Sequence, residues 1–176
     1  MRVVLQRVKH ACVTVAGAQV GKIDTGIFCL LGICESDVAN PLTHISWLVK
    51  KVTTARLFPN AEGKQWGGSI KALNLPILLV SQFTLHGNLR KPKPDFHHSA
   101  KTEDARRIWE LAVSAFKEEL GEENVQTGAF GEDMDVALVN WGPVTLTLDS
   151  ANRNEVYAEE SSALAVGGGA PASLAE

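Results

Sequence analysis

Residues 75–99 read LPILLVSQFTLHGNLRKPKPDFHHS, and the change of character along them decides what kind of chain this is. Ile77 to Val80 is a continuous apolar run of strand length, β-branched at both ends, the form of a strand buried on both faces. Polar residues follow in extended register: Ser81, Gln82, Phe83, Thr84, Leu85, His86. An unpaired buried hydroxyl or amide costs about 1 to 3 kcal/mol, so a buried strand that ends on such residues is using them. Gly87 breaks the run. A basic, proline-rich loop then carries Arg90, Lys91, Lys93, His97 and His98, a surface for an anionic partner beside a polar pocket.

Working outward, the N-terminal side is strand-rich. Arg2 to Val8, Cys12 to Ala16, Gln19 to Ile23 and Gly26 to Ile33 read as an antiparallel meander, turning at Ala16-Gly17-Ala18. Asn40-Pro41 is a cap residue followed by proline at the first helical position. Leu42, Ile45, Leu48, Val49, Val52 and Ala55 follow at helical spacing, which predicts a helix from Pro41 to about Thr54. On the C-terminal side Thr102 is placed to cap a second helix, with Glu103 and Asp104 in its first turn. Ala105, Ile108, Trp109, Ala112, Val113, Phe116 and Leu120 make its apolar face, and Gly121 ends it. Strands return near Val125, at Asp135 to Asn140 and at Val144 to Asp149, the last two separated by Trp141-Gly142-Pro143. Proline cannot donate to a ladder, so Gly-Pro marks a turn or an edge.

Many strands with two inserted helices predict an α+β fold: antiparallel or mixed sheets curled into a barrel-like core with two main helices packed outside. Residues 1–151 read as one domain, and 152–176 as a low-complexity tail of alanine, serine, glycine and glutamate. The net charge of −3 resides formally in that tail, so the basic loop is a local feature of a neutral body. Neither a leader nor a membrane span is evident, and the expected compartment is the cytoplasm. The three cysteines, Cys12, Cys29 and Cys34, are too few and too irregularly spaced for a disulfide framework or a zinc site. They are expected as reduced, mostly buried thiols.

Two chemistries compete at the end of the apolar run. Side chains two apart on a strand share a face, so Thr84 beside His86 is a minimal nucleophile–base pair, with Ser81 as rival nucleophile. No acidic neighbour is an obvious orienter for His86, and strand-end threonines often only cap a sheet. His97 and His98, adjacent on an extended loop, should point apart and lack further metal ligands. A solvated or phosphate-facing pair is the better reading. Trp47, Trp66, Trp109 and Trp141 are too scattered for a stacking platform.

Ser81-Gln82-Phe83-Thr84-Leu85 together with Asn140-Trp141-Gly142-Pro143-Val144-Thr145 resembles the two signature motifs of the D-aminoacyl-tRNA deacylases. The likeness runs from Met1-Arg2 and Gln6-Arg7-Val8 through Thr127-Gly128, Phe130-Gly131 and Met134 to Leu148-Asp149-Ser150. Trp141 departs from it, standing where many members carry an acidic residue. Lys91-Pro92-Lys93-Pro94-Asp95-Phe96 departs too, and is closer to the eukaryotic variants.

The resemblance implies a metal-free, cofactor-free homodimer that acts on D-aminoacyl-tRNA at the subunit interface. It implies that Pro143 is cis, and that the Gly142-Pro143 turn enters the partner's pocket and excludes L-substrates there. Arg7 would hold that turn, with Phe96 and Met134 also on the substrate side. Ser81, Gln82, Phe83 and Thr84 would be the catalytic segment, with backbone N–H groups near Gln82 and Phe83 stabilising the oxyanion. The substrate's ribose hydroxyl would activate water in place of a nucleophilic threonine. Arg90, Lys91, Lys93, His97 and His98 would meet tRNA, and glycyl-tRNA would also be a substrate. Two rivals remain: a related deacylase for L-alanyl-tRNA mischarging, and a non-catalytic nucleic-acid-binding module with the tail as a partner arm.

Overall fold

The computed structural model describes residues 1–153, so the tail expected from 152 onward lies, from 154, outside the described residues. Its elements in order are β1 (Arg2–Val15), β2 (Ala18–Ile23), β3 (Gly26–Gly32), α1 (Pro41–Thr54), β4 (Ile77–Ser81), α2 (Thr102–Leu120), β5 (Val125–Thr127) and β6 (Asp135–Asp149), with short 3₁₀ turns between them. The α+β class with a mixed, curled sheet and two helices agrees with the sequence reading. No helix among the described residues is long and apolar enough to cross a membrane.

β1 organises the sheet. The sequence divides it into two strands at Lys9-His10, but it runs unbroken for 14 residues. Lys9 and His10 are exposed where the strand changes partner: Arg2 to Val8 pair with β3, and Ala11 to Val15 pair with β2. β6 pairs along the other edge of β1 for nearly its whole length. The expected meander is therefore incomplete. β1 pairs antiparallel with β2, β3 and β6, whereas β3, β4 and β5 run parallel.

The sheet curls until β2 leans over β4 and β5. A Cβ on Gly21 would stand 2.5 Å from the Thr127 carbonyl oxygen, so only glycine allows this approach. The curl creates two apolar cores. Val8, Val13, Ile23, Phe28, Leu78 and Val80 fill the inside of the curl. On the opposite face Leu5, Ile27, Cys29, Leu79 and their neighbours pack under both helices, against Val52, Ile108 and Phe116. Consecutive β4 residues thus serve different cores, which explains why the Ile77–Val80 run is apolar at every position. Of the cysteines only Cys29 is fully buried, its pKa pushed up to about 12 by burial; Cys12 and Cys34 are half-buried, and all three are free thiols.

Helix α1 starts at Pro41 after Asn40, as the sequence predicts. Helix α2 starts one residue earlier than expected: Lys101 occupies the cap position, Thr102 is the first helical residue, and no side chain caps the end.

Candidate active site

β4 ends at Ser81, beside Leu31 of β3. The polar residues after it do not stay extended. Phe83–His86 closes into a 3₁₀ turn, with the Gly87 N–H donating to the Thr84 carbonyl at 2.9 Å. This overturns the shared-face reading of Thr84 and His86. Thr84 is exposed while His86 is 7% exposed, and the Thr84 hydroxyl instead accepts from the Gln82 side-chain amide. Burial lowers the His86 pKa, with a Gly32 backbone hydrogen bond acting in the opposite direction. A Thr84–His86 nucleophile–base pair does not exist in this geometry.

A pocket of about 710 Å³ opens at this strand end. Ser81, Gln82 and Phe83 line one wall, Phe96 and Ser99 a second, and Phe130 with Met134 a third. Tertiary structure therefore brings five of the expected site residues to one cavity from three separate segments. Phe83, 56% exposed, meets the Phe96 ring edge-on at 5.0 Å, and the Ser99 hydroxyl donates to the Phe83 carbonyl at 2.9 Å. The Gln82 backbone N–H is already committed to the Leu31 carbonyl at 2.8 Å, so it is not free to hold an oxyanion. Phe83 and Thr84 open the 3₁₀ turn, where the first N–H groups have no carbonyl of their own helix to bond.

Arg7, Gly142 and Pro143 lie away from this cavity wall. β6 carries three extra residues against β1 here, since Gln6 pairs with Thr145 and Val8 with Asn140. The surplus forms the Trp141-Gly142-Pro143 turn, with a cis Gly142–Pro143 bond. Asn140 closes the turn: its side-chain oxygen accepts the Val144 N–H at 2.7 Å, and its amide donates to the Val144 carbonyl at 3.2 Å and the Thr145 hydroxyl at 2.9 Å. Gly142 has φ +138, and a Cβ there would stand 2.7 Å from Val144 Cγ2.

Arg7 is 5% exposed, and burial lowers its pKa. Its Nε donates to the Trp141 carbonyl at 2.8 Å and its Nη1 to the Leu57 carbonyl at 2.6 Å. The guanidinium also faces two rings, Trp141 at 4.6 Å and Trp66 at 5.6 Å, while Lys9 Nζ lies 3.5 Å from the Trp141 centroid. Two of the four tryptophans thus meet around one cation, which their sequence positions did not reveal.

The basic loop is pinched at its base by paired backbone hydrogen bonds between Asn88 and Asp95. Arg90, Lys91 and Lys93 are exposed at its tip. His97 and His98 do not point apart; their ring centroids are 3.8 Å from each other. Asp95 accepts from the His97 N–H and pairs with its ring, which holds the carboxyl below its ordinary pKa.

Residues 4–149 match the family model described as D-Tyr-tRNA(Tyr) deacylase. The chain belongs to that family. A D-aminoacyl-tRNA deacylase of Chloroherpeton thalassium is 42% identical over 156 residues, covering 88% of this chain and 99% of the relative. One of Drosophila melanogaster is 40% identical over 159 residues, covering 90% and 98%. A solved structure described as c-Myc DNA Unwinding Element Binding Protein is 38% identical, with a TM-score of 0.80, covering 85% of this chain and 98% of that one. Another, described as a probable eukaryotic D-amino acid tRNA deacylase, is 17% identical at a TM-score of 0.72 and shares the fold. The chain is thus a member of a hydrolase family over its whole described body.

Within this deacylase fold the sequence reading missed Asn140, Leu57 and Ser99, which shape the turn and the pocket. Asn140 carried a usable signal, because Asn favours turns by bonding nearby backbone. Leu57 takes part only through its carbonyl, which no sequence pattern marks.

Proposed function

We propose that the protein hydrolyses the ester bond of D-aminoacyl-tRNA in the cytoplasm, releasing free D-amino acid and tRNA. The observation that supports this best is the pocket at the end of β4, where Ser81, Gln82, Phe83, Phe96 and Met134 meet in a chain matching the deacylase family over residues 4–149.

The protein works as a homodimer in this reading, with each Gly142-Pro143 turn entering the other subunit's pocket. Support comes from the separation of turn and pocket within one chain. The long exposed β6 adds to it, carrying Val136, Val139 and Leu146 at about two-fifths exposure each beside an edge unpaired among the described residues. The Gly142 and Pro143 carbonyls accept the substrate ammonium group. Held there and at the ester, a D side chain projects outward while an L side chain meets the turn, so handedness is selected by exclusion. Glycine, lacking a side chain, is accepted, and glycyl-tRNA is a second substrate.

Water is the nucleophile, activated by the neighbouring hydroxyl of the terminal ribose. The Phe83 N–H, at the open start of its turn, stabilises the developing oxyanion; the Gln82 side chain positions Thr84 rather than reacting. Arg90, Lys91, Lys93, His97 and His98 contact the tRNA backbone.

The deciding experiment charges tRNA with D- or L-tyrosine and measures release by purified protein. Release of D-tyrosine alone supports the reading; equal release of both enantiomers overturns it. Thr84→Ala retains turnover under this scheme, and a substrate ending in 2′-deoxyadenosine is not hydrolysed. Faster release of L-alanine than of D-tyrosine would move the assignment to the related L-alanyl-tRNA reaction. The likeness to a DNA unwinding element binding protein favours a second reading, a nucleic-acid-binding module without catalysis. Binding of duplex DNA with no release of D-amino acid would establish that one.

A further inference from the structure

At the His86 end of the 3₁₀ turn lies a second cavity of about 570 Å³, lined by Arg2, Cys34, Glu35, Ser36, His86 and His98 among others. Three ligand-type atoms converge beside it. Cys34 Sγ, a carboxylate oxygen of Asp37 and a ring nitrogen of His86 all lie within 4.8 Å of one another. His86 is 7% exposed, and its Nε2 is enclosed with no hydrogen-bond partner among the described residues. An orphaned buried nitrogen normally costs free energy. Here it stands beside a thiol and a carboxylate.

From this arrangement we propose a zinc site in which Cys34 Sγ, His86 Nε2 and Asp37 supply three ligands and a water, facing the cavity, supplies the fourth. Sulfur, imidazole and one carboxylate together suit Zn²⁺ and discriminate against Mg²⁺ and Ca²⁺, which take oxygen. Donor atoms on one tetrahedral zinc stand roughly 3.3 to 3.8 Å apart, given bond lengths of about 2.0 to 2.3 Å, so the three must close by about 1.5 Å at most. Cys34 is the group that moves. It is half-buried, and its sulfur meets the Ser36 hydroxyl at 3.1 Å. Asp37 already accepts the Met1 ammonium at 2.7 Å and the Cys34 N–H at 2.8 Å. A carboxylate offers about four lone-pair directions, so coordination adds to these bonds. The Met1 ammonium also keeps the Ser150 hydroxyl at 2.8 Å. Binding releases the Cys34 thiol proton to solvent, while neutral His86 and ionised Asp37 lose none.

The spacing of the cysteines gave no zinc motif, because the three ligands come from two segments about 50 residues apart that only the fold brings together. Such a metal would tie the end of β3 to the Phe83–His86 turn, which carries Phe83 of the pocket wall.

The test uses untagged full-length protein and reads metal, not deacylation, so it stands whatever the activity assay gives. In equilibrium dialysis the protein should retain one Zn²⁺ per chain in the presence of excess Mg²⁺. Replacement by Co²⁺ should produce a thiolate-to-cobalt charge-transfer band. Cys34→Ser and His86→Gln should each weaken Zn²⁺ binding at least about tenfold, a scale that even outer-shell changes reach. Cys12→Ser and His97→Ala should leave it unchanged. A wild-type cobalt complex without a thiolate band overturns the proposal without relying on any variant. So does wild-type affinity in Cys34→Ser, or a loss confined to His97→Ala.

Discussion

Arg2 and Arg7 lie five residues apart on β1, so they point to opposite faces of the strand. Each holds a turn that carries candidate site residues. Arg7, nearly enclosed, donates to the Trp141 carbonyl of the Gly142-Pro143 turn and to the Leu57 carbonyl. Arg2, with half its side chain exposed, donates to the Leu85 carbonyl of the Phe83–His86 turn and pairs with Asp149 at 2.8 Å. The same residue type in the same role should differ greatly in worth. Around Arg7 a lost bond strands a buried carbonyl at Leu57 and a half-buried one at Trp141, whereas around Arg2 water replaces it. One turn is therefore locked by the core, and the other is held loosely from the surface.

The largest test removes the buried fork. Arg7→Met should cost about 3 kcal/mol or more in denaturant unfolding, from two hydrogen bonds to a charged donor at about 1.5 to 3 kcal/mol each. Arg7→Lys should recover less than half, because an ammonium cannot span both carbonyls. A loss for Arg7→Met no larger than that for Arg2→Met would erase the contrast.

Next in size is Gly142→Ala. At φ +138, with Val144 Cγ2 and Arg7 Nη2 2.7 and 3.0 Å from the new Cβ, it should cost about 1 to 3 kcal/mol. It should also lower the D-over-L ratio of hydrolysis, measured on charged tRNA. An unchanged ratio in a folded variant would detach the turn from chiral selection.

Phe83→Ala sharpens the other side. Its ring is exposed and loses one edge contact with Phe96, so stability should fall by only about 0.5 to 1.5 kcal/mol. Turnover should fall roughly 10²-fold, as expected when a reacting group is no longer positioned. A stability loss that matched the activity loss would mean that the pocket wall is as rigid as the Arg7 turn.

The smallest effect belongs to Arg2→Met, below about 1 kcal/mol. Its signature is in pH. Burial alone would raise the Asp149 pKa, but the Arg2 side chain and the Ala151 N–H outweigh it, and the carboxyl lies below its ordinary value. The stabilisation is thus complete above the unfolded value of about 3.9 and is lost as pH falls through the lower folded value. In Arg2→Met the acid limb of stability should be shallower, and an identical limb would show that the pair contributes nothing.

The same contrast explains what could be read before folding. The Ile77–Val80 run declared a strand buried on both faces, and it serves two cores. Helical spacing placed α1 and α2, with only the α2 cap misjudged. What failed was local geometry after the run. Phe83 to His86 looked extended because the residues alternate acceptably, but the Leu31 carbonyl of β3 takes the last strand-like bond, from Gln82, and the chain turns after it.

By itself, then, the sequence determined the periodic elements, the class of fold and, through two motifs, the family. Those follow from hydrophobic period and from residue identity, which are local properties. Only the tertiary structure decided that Gln82 spends its N–H on Leu31, that Trp66 and Trp141 share one guanidinium, and that Cys34 stands beside His86. Those are pairings between distant segments. They depend on how the sheet curls, and no pattern along the chain records which of many compatible partners a buried polar group will meet.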